Sequence, residues 1–162
     1  MRRILGGVGA AVGVAAIAAA CGGRSVGPHP ETEGATSPEQ AVERFLGSAT
    51  EAQKARRSGQ MTLAEQSYDR MALVFGTESG SILRDEDRAV VRDRMIALAG
   101  LLDPQGFEVQ PNVDARSRDT GRTTIAVNLT YRGTRRVVPF IVIRGRENRW
   151  FIERIDLRSI TG

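Results

Sequence analysis

At Gly106 the hydrophobic period of the chain changes from 3.6 residues to 2, and no other feature constrains the fold as much. Before it, apolar side chains recur at helical spacing in three stretches. After it, Thr123, Ile125, Val127, Leu129 and Tyr131 alternate with Thr124, Ala126, Asn128, Thr130 and Arg132. A 3.6 period buries one stripe of a helix and a period of 2 buries one face of a strand, so the order of the pattern is the order of the elements. The expectation is an α+β fold, with three N-terminal helices packed on a curved antiparallel sheet of about four strands. At 162 residues there is room for one domain and one core.

Capping residues set the helix boundaries. Ser37-Pro38-Glu39-Gln40 combines an N-cap serine, a proline at the first helical position and a glutamine three residues after the cap, so the domain is expected over residues 37–162. Ala41, Val42, Phe45, Leu46, Ala49 and Ala52 form the buried stripe, and Ser58-Gly59 ends the helix. Thr62-Leu63-Ala64-Glu65 reads as a second capping box. It opens a helix buried through Leu63, Tyr68, Met71, Ala72 and Phe75 and closed by Gly76 as a left-handed cap, with a Gly/Ser/Thr loop over residues 77–81. The third helix, from about Asp85 to Leu102, buries Val90, Val91, Met95, Leu98 and Leu102, and Asp103-Pro104-Gln105-Gly106 stops it with a turn.

The strands are expected at residues 107–113 (extending toward Arg116), 123–131, 135–143 and 149–157, with turns at Gly133 and at residues 145–148, which makes a meander. The third is apolar on both faces, because Val137, Ile141 and Ile143 alternate with Val138, Phe140 and Val142. Both faces therefore need cover: one from the helices, the other from a curled part of the sheet or a second subunit. Pro139 has no amide to give to a ladder, which predicts a bulge or a local edge there.

The N-terminus carries a different signal. Arg2 and Arg3 precede an apolar stretch from Ile4 to Ala20 made mainly of Ala, Val, Gly and Ile. A membrane span needs about 20 strongly apolar residues, and this run has few large side chains, so it reads as the removable core of a secretory leader. Ala18-Ala19-Ala20-Cys21 resembles the bacterial lipobox, with Ala18 standing where that pattern prefers Leu. The resemblance implies that residues 1–20 are a cleaved signal peptide and that Cys21 becomes the lipidated first residue. The same residues also fit an ordinary leader cut at an A-x-A site. Cys21 is the only cysteine, so no internal disulfide employs it, and the small Gly22 and Gly23 follow it. An uncharged Gly22 resembles proteins sorted to the outer membrane, facing the periplasm, where the host has two membranes. Residues 21–36, rich in Gly, Pro, Ser and Thr, are expected to be the flexible tether.

Three helices followed by a curved antiparallel sheet that ends in the aromatic strand Arg149-Trp150-Phe151-Ile152-Glu153-Arg154-Ile155-Asp156-Leu157 resemble the NTF2-like superfamily, the cystatin-like α+β cone. The resemblance covers roughly residues 37–160. It implies a pocket between sheet and helices, which that superfamily uses in ketosteroid-isomerase-type enzymes and in many binding or assembly domains. Tyr68, Phe75, Tyr131 and Trp150 are the candidate pocket-lining residues.

An isomerase-like site needs a carboxylate base and a Tyr or protonated Asp donor converging in an apolar cavity. Tyr68, Tyr131, Asp69 and Glu153 are the available types, but the two tyrosines fall on core faces, Asp69 lies beside the buried stripe and Glu153 is expected to pair with a strand arginine, so no catalytic set is assigned. His29, the only histidine, lies in the tether, which leaves the domain without a histidine triad or a multi-histidine metal site. No metal and no cofactor is expected.

The net charge of +4 falls to +2 when Arg2 and Arg3 leave with the leader, which does not imply nucleic acid. The basic residues are nearly all arginine and gather at the hairpin tips: Arg116, Arg118 and Arg122, then Arg132, Arg135 and Arg136, then Arg144, Arg146 and Arg149. Alternate turns of a meander share an end, so the first and third groups are expected to converge, either as solvated hairpin residues or facing lipid phosphates. The leading functional expectation is a non-catalytic small-ligand-binding or protein-assembly module, exported and lipid-anchored to the cell envelope. Its partners would be the membrane through the lipid, a small apolar ligand in the cone, and a second copy across the sheet. The alternatives are a pocket enzyme of the isomerase or dehydratase type and a structural protein whose pocket is packed shut by Phe and Met.

Overall fold

The computed structural model describes residues 32–111 and 120–161. Helix α1 (Pro38–Arg57) starts where its caps dictate: Ser37 Oγ accepts from the Gln40 amide at 3.1 Å, and Pro38 fills the first turn, where no amide is needed. The Gln40 side chain reaches further back than a capping box requires. Its Oε1 accepts from the amide and the hydroxyl of Thr36 at 2.8 and 2.7 Å. All six expected stripe residues of α1 are buried.

Helix α2 (Met61–Leu73) departs from expectation at both ends. The turn at Ser58 and Gly59 is so tight that the Gln60 amide donates to the Ala55 carbonyl and the Gln60 carbonyl already accepts from Ala64. Thr62 therefore lies inside the first turn and caps nothing. The buried face is Ala64, Ser67, Tyr68, Met71 and Ala72, while Leu63, expected in the stripe, is 39% exposed. Gly76 is not a helix cap either. It sits in the ribbon of β1 (Gly76–Thr77) and β2 (Gly80–Ser81), where a Cβ would fall 2.0 Å from the Gly80 carbonyl oxygen. Glycine is needed there for close approach of two backbones, not for handedness.

A 3₁₀ turn (Ile82–Arg84) leads to α3 (Arg88–Leu102), capped by Asp87 Oδ1 accepting from the Ala89 amide at 2.8 Å. Val91, Met95, Ala99 and Leu102 are buried. Val90, also expected in the stripe, is 53% exposed, because adjacent residues point about 100° apart on a helix and Val91 holds the core side.

The sheet is an antiparallel meander of β3 (Gly106–Val109), β4 (Arg122–Tyr131), β5 (Thr134–Arg144) and β6 (Trp150–Ile155), in that order. A short fourth helix, α4 (Arg158–Thr161), follows. The described part of β3 pairs through Val109 with Val127, shorter than expected, and residues 112–119, including Val113 and Arg116, lie outside the described residues. β6 pairs only with the second half of β5, its last pair being Phe140 with Ile155. Pro139 therefore sits at a local edge, as its missing amide predicts, and its carbonyl accepts from Asp156 at 2.9 Å. The register shift comes two residues later, between Ile141 and Val142.

Val138, Phe140 and Val142 face the helices and are fully buried. The opposite face of β5 is covered only in part: Ile143 is buried, Pro139 and Ile141 are half-buried, and Val137 is 54% exposed. What shelters it is charge. Arg122 on β4 pairs with Glu153 on β6 across β5, and Arg135 on β5 pairs with Glu108 on β3 across β4. Both arginine side chains remain more than half exposed.

The outer edge of β6 is also occupied. Ala35 and Trp150 exchange both backbone hydrogen bonds at 2.9 Å, and the Val74 carbonyl accepts from the Ile152 amide at 2.8 Å. Residues 32–36, expected to belong to the flexible tether, are thus bound into the domain. Composition alone does not reveal this, because what orders the segment is backbone pairing with a strand more than 110 residues away rather than burial of large side chains.

Candidate functional site

The space between helices and sheet, where the cone resemblance puts a pocket, is filled. Phe45, Met71, Met95, Leu102, Leu129 and Phe140 are completely buried there. Phe45 meets Phe140 edge-on at 6.3 Å between ring centroids and Phe75 at 6.0 Å.

The four candidate pocket residues do not surround one cavity. Phe75 is half-buried against Phe45 and bridges to Ile152, two residues from Trp150. Trp150 is buried beneath the Arg144 guanidinium, 4.8 Å above its ring. Tyr131 lies at the other end of the sheet, with Arg132 at 5.1 Å from its ring. Tyr68 is 3% exposed inside the helix layer, and its hydroxyl has no hydrogen-bond partner among the described residues. The two candidate carboxylates are ion-paired near the surface: Asp69 with Arg92 at 3.8 Å, and Glu153 with Arg122 Nε at 3.0 Å.

The geometry instead draws attention to the two ends of the molecule. At one end the first and third hairpin tips meet, as the meander predicts: the Arg144 amide donates to Gly121 at 2.7 Å, beside Arg122. Arg116 and Arg118 lie outside the described residues. Here a cleft of about 490 Å³ is lined by Thr32, Glu33, Arg84, Arg146, Arg149 and Phe151, among others.

Most of its arginines grip the chain itself. Arg84 Nε donates to Glu33 Oε2 at 2.7 Å, and this carboxylate holds the Arg84 guanidinium above its ordinary pKa. Arg149 donates to the Glu33 and Gly34 carbonyls at 3.2 and 3.0 Å, and Arg44 to the Gly34 and Thr32 carbonyls at 2.5 and 3.2 Å. Gly34, at φ +67, fits only because it lacks a side chain: a Cβ would lie 2.7 Å from the Phe151 ring and 2.8 Å from Arg149 Cβ. The result is a clamp on the root of the N-terminal segment. Sequence reading missed Arg44, Arg84 and Glu33 because partners separated by 10 to 116 residues leave no local pattern.

No family model, curated protein or solved structure matches the chain. Among the described residues no helix is long and apolar enough to cross a membrane, and no group of three His, Cys, Asp or Glu side chains is placed to hold a metal ion.

Proposed function

We propose that this chain is a lipoprotein anchored to the cell envelope through Cys21, with an NTF2-like domain that works as a non-catalytic assembly module through its outer surfaces. The observation that carries this reading is the filled interior. Phe45, Phe140, Met71 and Met95 occupy the volume in which a small ligand or substrate would sit, which leaves the exterior as the place for recognition. The clamp on residues 32–34 supports the anchoring half: a root gripped by three arginines gives a domain a defined attachment point.

The test is the intact mass of the chain recovered from bacterial membranes. The expected mass lacks residues 1–20 and carries a diacylglyceryl group on Cys21, whereas Cys21→Ser keeps the leader and gains no lipid. A wild-type chain cut at or near Ala20 without added lipid would replace the anchored reading with that of a free exported protein.

A further inference from the structure

The end opposite the clamp gathers exposed cations. The last turn of α1 brings Lys54, Arg56 and Arg57, and the β4–β5 turn with the start of β5 brings Arg132, Arg135 and Arg136. The two groups meet across the α3–β3 connection: Arg57 pairs with Asp103, and Gln105 accepts from the Gly133 amide at 3.2 Å and donates its own amide to Thr130 at 3.2 Å. Six cations stand here with two carboxylates, Asp103 paired with Arg57 and Glu108 paired with Arg135. The nearest other carboxylates along these helices, Glu51 and Glu65, stand about a turn back on α1 and α2. All six cations are exposed, and Lys54, Arg56, Arg132 and Arg136 have no carboxylate partner among the described residues.

Exposed apolar side chains gather at the same end. Met61 and Leu63 on the first turn of α2 are 56% and 39% exposed, and Leu101 on the last turn of α3 is 43% exposed. Leu63 shares a cleft with Lys54, Ser58 and the Glu51–Arg70 ion pair. Cations meet phosphate and apolar tips enter the boundary between headgroups and acyl chains, so their combination at one end matches an anionic bilayer surface. An acidic polymer would use the cations and leave the apolar tips in water.

We propose that this end docks on the surface of an anionic lipid bilayer, through Arg132 and Arg136 with Lys54 and Arg56 as phosphate contacts and Met61, Leu63 and Leu101 as shallow apolar anchors. The inference deepens the surface-binding reading and rests on it. The clamp and this patch lie at opposite ends of α1, a helix of 20 residues and so about 30 Å long, which suits the domain to joining its own membrane to a second lipid surface.

The test places the full chain in neutral phosphatidylcholine vesicles, confirms by sedimentation that it stays with them, and adds vesicles containing phosphatidylglycerol. Light scattering should report clustering that half-molar salt reverses. Clustering should fall at least tenfold in Arg132→Glu/Arg136→Glu and several-fold in Met61→Ser/Leu63→Ser. Arg88→Glu, at the exposed start of α3 and away from this patch, should leave it unchanged, and unaltered thermal unfolding of each variant shows that the fold is intact. No clustering, or clustering unaffected by the Arg132→Glu/Arg136→Glu pair, overturns the proposal. Binding of soluble polygalacturonate without clustering of anionic vesicles overturns it in favour of an acidic polymer. Failure of the chain to stay with the neutral vesicles counts against the anchored reading instead, which keeps the two failures distinct.

Discussion

Gly34 shows how much of this molecule depends on a single missing side chain. It takes a backbone conformation open to glycine, lies under the Phe151 ring, donates its amide to Leu73 at 2.8 Å and offers its carbonyl to both Arg44 and Arg149. Alanine there meets two penalties together, the positive φ and a Cβ within 2.7 Å of the ring. The expected cost of Gly34→Ala is about 1–3 kcal/mol, read as a lower urea midpoint at unchanged m-value. Because the same residue anchors the clamp, the variant should also make residues 32–35 accessible to protease in the folded state. Phe45 makes the complementary point: a buried phenyl ring of this kind contributes about 1.5–3 kcal/mol of transfer free energy, and it does so by closing the space that a ligand-binding cone keeps open.

Among the described α-helices, α4 is the shortest, and its start carries an ion pair that titrates with pH. It packs beside the part of β5 that β6 leaves unpaired and blunts that edge. Its start is organised by Asp156, whose carboxylate accepts from the Arg158 side chain and from the Arg158 amide at 3.2 Å, and these bonds lower its pKa to about 2. An unfolded aspartate titrates near 3.9, so the folded state holds this contribution in full above about pH 4. It loses the contribution as pH falls toward about 2. The Asp156 carboxyl carbon should therefore titrate with a midpoint of about 2 in the native chain and return toward the ordinary carboxylate range in Arg158→Ala. The pair is solvent-exposed, so added salt should weaken the effect. The elements also show where sequence is legible. The switch of period at Gly106, the cap at Ser37 and the core face of β4 were all readable, because each rests on spacing or on a local hydrogen bond. Most of the α2 stripe was readable too, since Tyr68, Met71 and Ala72 are buried as expected, but its start was not: Leu63 is a better hydrophobe than Ser67, yet Ser67 is the buried one, its hydroxyl bonding back to the Leu63 carbonyl at 2.9 Å. Val90 fails in the same way beside Val91, and the isolated β-bridge made by Ala35 depends on a partner, Trp150, that no local pattern reveals.

At the scale of the whole molecule the charges are sorted by end. At the clamp end arginines are engaged with Glu33, Glu153, the carbonyls of the N-terminal root and the Trp150 ring. At the far end four cations have no carboxylate partner among the described residues, and three large apolar side chains are exposed beside them. The first arrangement fixes a chain, and the second offers a surface. Between them α1 spans about 30 Å. On the proposed lipid anchor at Cys21, the turn bearing Arg146 and Glu147 is expected nearer the anchoring bilayer than the Ser58 turn, because the N-terminal root leaves the domain at the clamp end. Fluorophores attached through Glu147→Cys or Ser58→Cys, both exposed positions, test this in vesicles containing an acceptor lipid. The label at 147 should transfer energy to the bilayer several times more efficiently than the label at 58, and Gly34→Ala should bring the two closer together. Equal transfer from both positions in the native chain would mean that the domain tumbles on its tether, and the arginine clamp would then be a local stabiliser with no part in orientation.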